Sequence, residues 1–279
     1  MKNFMKSIFQ VLAILFFYQI AIISCKTSNN VNIEDTIPIH ETFTIDSKKL
    51  NEKRVINIWY PNNYKSSKDS LTVVYMPDGG TAEDFPHVAN TLEKLIKEKK
   101  IQDVILVGIE NIQRRKDLTP LTEVEEDKKV APIVGRSSVF RSFIKDELFP
   151  EIDKRYRTNK QKAIIGESLA GLFITETFLD DSNMFDIYIA IDPSLWWNNH
   201  YLVKNAKEKL LKLPSKPIKF WFAGSDATDI NQYTSQLATI FEETKSPQLK
   251  WFYSDEPKEN HATIYRATEE KALIWSLSK

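Results

Sequence analysis

Apolar positions fall into two rhythms along this chain. Residues 71–76, 104–109, 163–165, 187–191 and 218–223 are short, mostly apolar runs, as in strands buried on both faces. Other segments carry apolar residues every three or four positions. In 88–99, Leu92, Leu95 and Ile96 share one helical face. Residues 201–213, stopped by Pro214, and residues 231–244 and 262–277 read the same way. Residues 138–156 also predict a helix, with Pro150 bending or interrupting it. Residues 41–45 and 54–60 alternate apolar with polar, as an antiparallel pair at a sheet edge does. A last strand is predicted at 249–253. Residues 111–135 are charged and lack a period, which predicts a long loop or lid. The predicted class is therefore α/β, a mostly parallel central sheet with helices on both faces.

The N-terminus follows a third pattern. Lys2 and Lys6 precede an apolar stretch, 8–23, broken by Gln10 and Gln19, and Ile22-Ile23-Ser24-Cys25 follows. A basic start, an apolar core and a small residue before the cut describe an export signal. Cys25 is the only cysteine and stands where a bacterial lipoprotein signal places its lipidated residue. An uncleaved membrane anchor is the alternative. Both place the body outside the cytoplasm, periplasm-facing or at the cell surface. The expected organisation is a signal peptide at 1–24, a polar tether at 25–36 and one domain at 37–279. With no second cysteine, the core alone must hold the domain.

Composition adds little. The chain has 38 basic and 38 acidic residues, and loss of Lys2 and Lys6 would leave a slight acidic excess. Nothing suggests a nucleic-acid partner. Six Trp, ten Tyr and sixteen Phe suit a groove for flat or sugar-like ligands, and equally an ordinary core.

The chemical signal is concentrated in Ala163-Ile164-Ile165-Gly166-Glu167-Ser168-Leu169-Ala170-Gly171, with a helix after it. Strand, sharp turn with serine, and helix is the context of a nucleophile elbow. The turn demands small residues two before and two after the serine, and Gly166 and Ala170 meet that demand. The strict motif has glycine at position 170, so the match is relaxed. In such sheets the site lies at the carboxyl ends of the strands. Gly79-Gly80 follows one strand, Gly224-Ser225-Asp226-Ala227-Thr228-Asp229 another, and His261 follows the last. The order serine, acid, histidine is that of α/β-hydrolases. A serine hydroxyl needs a base, and the imidazole needs a carboxylate to fix its tautomer. Ser168 is the expected nucleophile and His261 the base. Asp226 is the expected acid by its strand-end position, with Asp229 second and Asp192 a more distant alternative. Leu169 N–H is one expected oxyanion donor, with Gly79, Gly80 or Thr81 supplying the other. His40, His87 and His200 read as surface or packing residues. No His pair has ligand spacing, so no metal and no cofactor are expected.

Further segments support this reading: Val73-Val74-Tyr75-Met76-Pro77-Asp78-Gly79-Gly80, Val107-Gly108-Ile109-Glu110-Asn111 with Arg114-Arg115-Lys116-Asp117-Leu118-Thr119-Pro120, residues 143–150 with Tyr156-Arg157-Thr158, Pro193-Ser194-Leu195-Trp196-Trp197, and Glu259-Asn260-His261-Ala262. In these segments and the elbow, from about Arg54 to the C-terminus, the chain resembles the esterase family of α/β-hydrolases that includes esterase D, enterochelin esterases and feruloyl esterases. The resemblance implies the α/β-hydrolase fold and a serine esterase with Ser168 as nucleophile and His261 as base. Siderophore members of that family hydrolyse the ester backbone of iron-loaded trilactones. Asp192 stands where many members have serine, which would put a carboxylate near the pocket and disfavour anionic substrates. The segment around Asp226 does not align without a shift, and some members work with little help from an acid. Arg114, Arg115 and Arg136 could meet an anionic acyl group or a catecholate, or be solvated lid charges. Of Trp196 and Trp197, one is expected in the pocket wall and one in the core.

The expected function is an exported, lipid-anchored serine esterase acting on a small-molecule carboxylic ester, either a siderophore trilactone or a carbohydrate or aromatic acyl ester. Two alternatives remain open: acyl transfer at the same site, as in mycolyltransferases of this fold, or an inactive surface lipoprotein that binds glycan or siderophore.

Overall fold

Eight strands join into one sheet in the order β1-β2-β4-β3-β5-β6-β7-β8 in the computed structural model, which describes residues 35–130 and 132–278. The export signal, Cys25 and the tether up to residue 34 lie outside the described residues. The strands are β1 (Glu41–Ser47), β2 (Glu52–Trp59), β3 (Leu71–Pro77), β4 (Val104–Ile109), β5 (Thr158–Glu167), β6 (Ile187–Ile191), β7 (Ile218–Gly224) and β8 (Leu249–Asp255). β1 and β2 pair antiparallel, and β2 meets β4 antiparallel. From β4 to β8 every pairing is parallel. This is the α/β-hydrolase fold.

Each central strand is buried on both faces, so its side chains alternate between two cores. On β3, Val73 and Tyr75 enter one core and Val74 and Met76 the other. The first core is aromatic, with Phe173, Phe178, Phe185, Tyr188 and Phe220. The second is mainly aliphatic, with Leu92, Leu95, Ile165 and Leu273 around Trp221. Helices α1 (Phe85–Lys97) and α9 (Ile264–Leu277) cover the second core. Helices α6 (Leu169–Asp180), α7 (Trp197–Leu210) and α8 (Thr228–Thr244) cover the first. All of α6 from Leu169 to Leu179 is buried; it is mostly apolar, and its Glu176 is paired with Arg141 at 2.7 Å.

Three local features depart from the sequence pattern. The region expected as an aperiodic loop carries two short helices, α2 (Arg114–Leu118) and α3 (Glu125–Val130). Helices this short cannot display a period. The helix containing Pro150 is not broken at that residue. It runs as α4 (Ser137–Phe143), a π-helical turn at Ile144–Leu148, and α5 (Phe149–Arg155). The wider turn ends just where Pro150 can supply no N–H. Helix α7 starts earlier than expected, across a kink in which Asn198, Asn199 and His200 have φ of 51°, 52° and 49°. Asn tolerates this left-handed conformation better than most residues. The buried Asp127 of α3 accepts the Asn198 N–H at 2.8 Å, which ties the kink to the lid.

The turn between β5 and α6 is set by packing. Ser168 has φ 60° and ψ −117°, a sparsely populated conformation for a non-glycine residue. Neighbouring backbone holds it there: Ser168 N–H donates to the Ile191 carbonyl at 3.0 Å, and Ser194 N–H donates to the Ser168 carbonyl at 3.1 Å. A Cβ at position 166 would stand 2.6 Å from the Ala170 Cβ, so that position must be glycine. We predict that Gly166→Ala destabilises the fold by about 1–3 kcal/mol, the usual cost of overpacking, read as a lower urea midpoint at unchanged slope. An unchanged midpoint would show that the turn relaxes freely.

Candidate active site

The carboxyl ends of β5, β6 and β8 bring three side chains into one hydrogen-bonded chain. His261 Nε2 lies 3.1 Å from Ser168 Oγ. His261 Nδ1 lies 2.6 Å from Asp192 Oδ2. A carboxylate only accepts, so Nδ1 carries the proton and the Nε2 lone pair faces the Ser168 hydroxyl. Asp192 is fully buried and directly follows β6. It also accepts the Ser225 N–H at 2.6 Å and the Ser225 hydroxyl at 2.9 Å. Three donors thus offset the cost of burying its charge.

The sequence profile of the family described as Putative esterase matches residues 47–266. The chain belongs to this family. It is a carboxylic-ester hydrolase. It is similar to Ferri-bacillibactin esterase BesA of Bacillus subtilis, at 26% identity over 217 residues, covering 72% of this chain and 75% of that protein. Among solved structures, an IroE-like serine hydrolase from Shewanella oneidensis superposes with a TM-score of 0.78 at 24% identity, covering 85% of this chain and 79% of the other. The siderophore hydrolase EstB from Aspergillus nidulans gives 0.73 at 19% identity, covering 87% and 96%. These two likenesses concern the fold.

Several expected site residues of the esterase stand elsewhere than the sequence suggested. Asp226 is exposed, and its backbone N–H donates to the Glu259 carbonyl at 2.8 Å. Among the described residues, the carboxylate bonded to His261 belongs to Asp192, not Asp226. The reason is local. Ser225 turns inward after β7 to bond Asp192, and the next residue is thereby directed outward. Asp229 is exposed and lines the cleft, near enough to add to the field on His261. The two loop glycines are also committed. Gly79 N–H donates to the Ile109 carbonyl at 3.0 Å, and Gly80 N–H to the Glu83 carboxylate at 2.6 Å. Neither is a free donor. Leu169, in contrast, opens α6, where a backbone N–H has no acceptor within its own helix.

Around Ser168 lies a cleft of about 330 Å³, lined by Arg114, Arg115, Val130, Ser194, Trp196 and Ile230 among others. Arg114 grips Asp78 through Nε at 2.6 Å and Nη2 at 2.8 Å, and reaches the Glu167 carbonyl at 3.3 Å. Its charge is thereby paired within the protein. Arg115 bonds the Val130 carbonyl. Arg136 is exposed and does not line the cleft. Trp196 forms part of the wall, whereas Trp197 is buried and donates its indole N–H to the Pro120 carbonyl at 3.1 Å. Of the other histidines, His87 pairs with Glu269 at 2.5 Å and His200 stacks on Tyr233 at 4.6 Å.

A second carboxyl, missed by the sequence reading, shapes the local field. Burial pushes Glu167 up to about 7, with Asp84 and Asp192 adding to the rise and His261 and Arg114 opposing it. The bond to Asp192 raises His261 above its ordinary value, against the effect of burial, and Glu167 adds to the rise. The His261 imidazole could take a proton from Ser168 only when neutral. With His261 as the base, activity would rise with pH through a midpoint above the ordinary histidine value of about 6.5. We predict such an acid limb in kcat/KM. Asp192→Asn should lower turnover by a factor on the order of 10⁴ and move the limb down, because the main cause of the rise is removed. Asp226→Asn should leave both nearly unchanged. Equal losses in the two variants would contradict this assignment.

Proposed function

We propose that this esterase works by covalent serine catalysis and that its substrate is a multi-ester siderophore. The observation that carries the mechanism is the continuous chain Ser168–His261–Asp192 at a strained strand–helix turn. Ser168 Oγ attacks the ester carbonyl carbon while His261 Nε2 takes the hydroxyl proton. Asp192 holds the imidazole tautomer and stabilises the imidazolium. Leu169 N–H receives the developing oxyanion, favoured by its place at the start of α6. Collapse breaks the ester C–O bond, and His261 returns the proton to the leaving alkoxide. Water, deprotonated by His261, then releases the acid and restores Ser168.

The siderophore assignment draws on the relatives named as ferri-bacillibactin esterase and siderophore hydrolase. The cleft supports it with an aromatic wall at Trp196 and a cation at Arg115. Asp192 does not weigh against an anionic substrate, because its carboxylate is buried and bonded to His261 and Ser225. Cys25 supports an exported lipoprotein, since it directly follows an apolar segment and a small residue.

The experiment is a fluorophosphonate label combined with product analysis. Wild type should be labelled on Ser168 and should cleave a ferric triscatecholate trilactone with higher kcat/KM than methyl ferulate. Ser168→Ala should lose both labelling and turnover, by a factor on the order of 10⁶. More than a few per cent residual activity would overturn the serine mechanism, and a preference for the ferulate would overturn the substrate class. In cells supplied with a clickable fatty acid, wild type should be labelled and Cys25→Ser should not. An unlabelled wild type would overturn the lipoprotein reading.

A further inference from the structure

Helix α3 is joined to the domain by a carboxylate. Of its six residues, Glu125–Val130, only Asp127 is buried, at 3% exposure. The other five are exposed, so α3 turns no apolar face to the core. Asp127 Oδ2 accepts the Thr122 hydroxyl at 2.6 Å and the Asn198 N–H at 2.8 Å. Burial of a carboxylate against two neutral donors is unfavourable. What this one holds is an unfavourable piece of backbone.

Asn198, Asn199 and His200 form a left-handed turn, with φ of 51°, 52° and 49°. L-residues enter this region singly, and glycine is its usual occupant. Three in a row, none of them glycine, persist only where the surroundings fix them. Three contacts do so here. Asp127 takes the Asn198 N–H, the His200 ring stacks on Tyr233 at 4.6 Å, and the Trp197 indole N–H donates to the Pro120 carbonyl at 3.1 Å. Two of the three come from the lid. Packing behind the turn is incomplete, because a cavity of about 240 Å³ between α6 and α7 is lined by Pro120, Leu172, Trp197, Asn198 and Leu202 among others. In front of the turn, Trp196 forms part of the cleft wall, and its carbonyl accepts the His200 N–H at 3.0 Å. Val130, the last residue of α3, lines the same cleft.

We infer that Asp127 is a positioning residue that sets the shape of the Ser168 cleft. Its carboxylate fixes the left-handed turn, the turn fixes Trp196, and Trp196 decides how an aromatic group of the substrate fits. The inference rests on the reading of this cleft as the substrate site. Without the carboxylate, the Asn198 N–H loses its acceptor and α3 loses its one buried side chain. The turn then relaxes towards the right-handed region, with the cavity behind it to move into. Trp196 leaves the wall. The elbow stays in place, because Ser168 is held separately by its bonds to Ile191 and Ser194. Binding of a ring is weakened, and attack by Ser168 is not. The charge itself is not required, since a neutral amide oxygen can accept the same two donors.

Fluorine NMR of protein carrying 5-fluorotryptophan, combined with ester kinetics, provides the test. The chain has six Trp, and Trp196→Phe identifies the Trp196 signal. Trp221, buried in the second core, serves as the control. Asp127→Ala should shift or split the Trp196 signal and leave that of Trp221 in place. It should raise KM for 2-naphthyl acetate by about tenfold with kcat changed by less than about twofold, and leave both constants for vinyl acetate, which carries no ring, near those of wild type. Asp127→Asn should restore the wild-type signal and KM. Thr122→Val keeps the side-chain shape and removes one donor. It should move both readouts the same way by less, and it carries the test if Asp127→Ala does not fold. An unmoved Trp196 signal in Asp127→Ala, or a KM rise shared by both esters, overturns the inference. So does a displaced Trp221 signal with lost kcat, the mark of general loosening. Ser168→Ala is assayed in parallel. Turnover retained there overturns the cleft reading and the inference with it, whereas an inactive Ser168→Ala with an unmoved Trp196 signal overturns the inference alone.

Discussion

The site depends on one buried carboxylate. Asp192 sits beyond the last residue of β6 with no contact to water, and it bonds Ser225 twice and His261 once. A charge in that position is tolerable only because three donors converge on it. The donors come from β7's end and from the loop after β8, so the carboxylate also ties three parts of the sheet's carboxyl end together. With Asp192 in place the imidazole has one tautomer and one orientation, and Ser168 faces its free nitrogen. Removing the carboxylate would leave a histidine in place without a defined task.

A wider set of charges surrounds this arrangement. Asp78 pairs with Arg114, which lines the cleft. Asp84, pushed up to about 6 by burial and by Asp78, and Glu167, pushed up to about 7, stand near enough to influence each other. Two carboxyl groups raised by burial thus stand near His261. Both add charge near His261 as they ionise, which favours its protonated form.

The fold was legible because burial on both faces writes continuous apolar strands. The elbow was legible because its geometry excludes Cβ atoms at fixed offsets, and Gly166 and Ala170 record that exclusion. The lid helices were not, since five or six residues cannot express a helical period. The carboxylate bonded to His261 was not singled out because Asp192, Asp226 and Asp229 all follow apolar strands. Sequence gives no sign of which strand end turns inward. One signal could have decided it: Asp192 lies between a wholly apolar run and Pro193-Ser194, next to the strand that carries the elbow. Gly79 and Gly80 illustrate the same limit, because whether a backbone N–H is free depends on what folds over it, here Ile109 and Glu83.

Proton NMR of the unliganded enzyme tests the central claim most directly. An imidazole N–H held at 2.6 Å by a buried carboxylate exchanges slowly and resonates far downfield. The account predicts one such signal, absent in His261→Ala and in Asp192→Asn and retained in Asp226→Asn. A signal that survives Asp192→Asn and disappears in Asp226→Asn would contradict it.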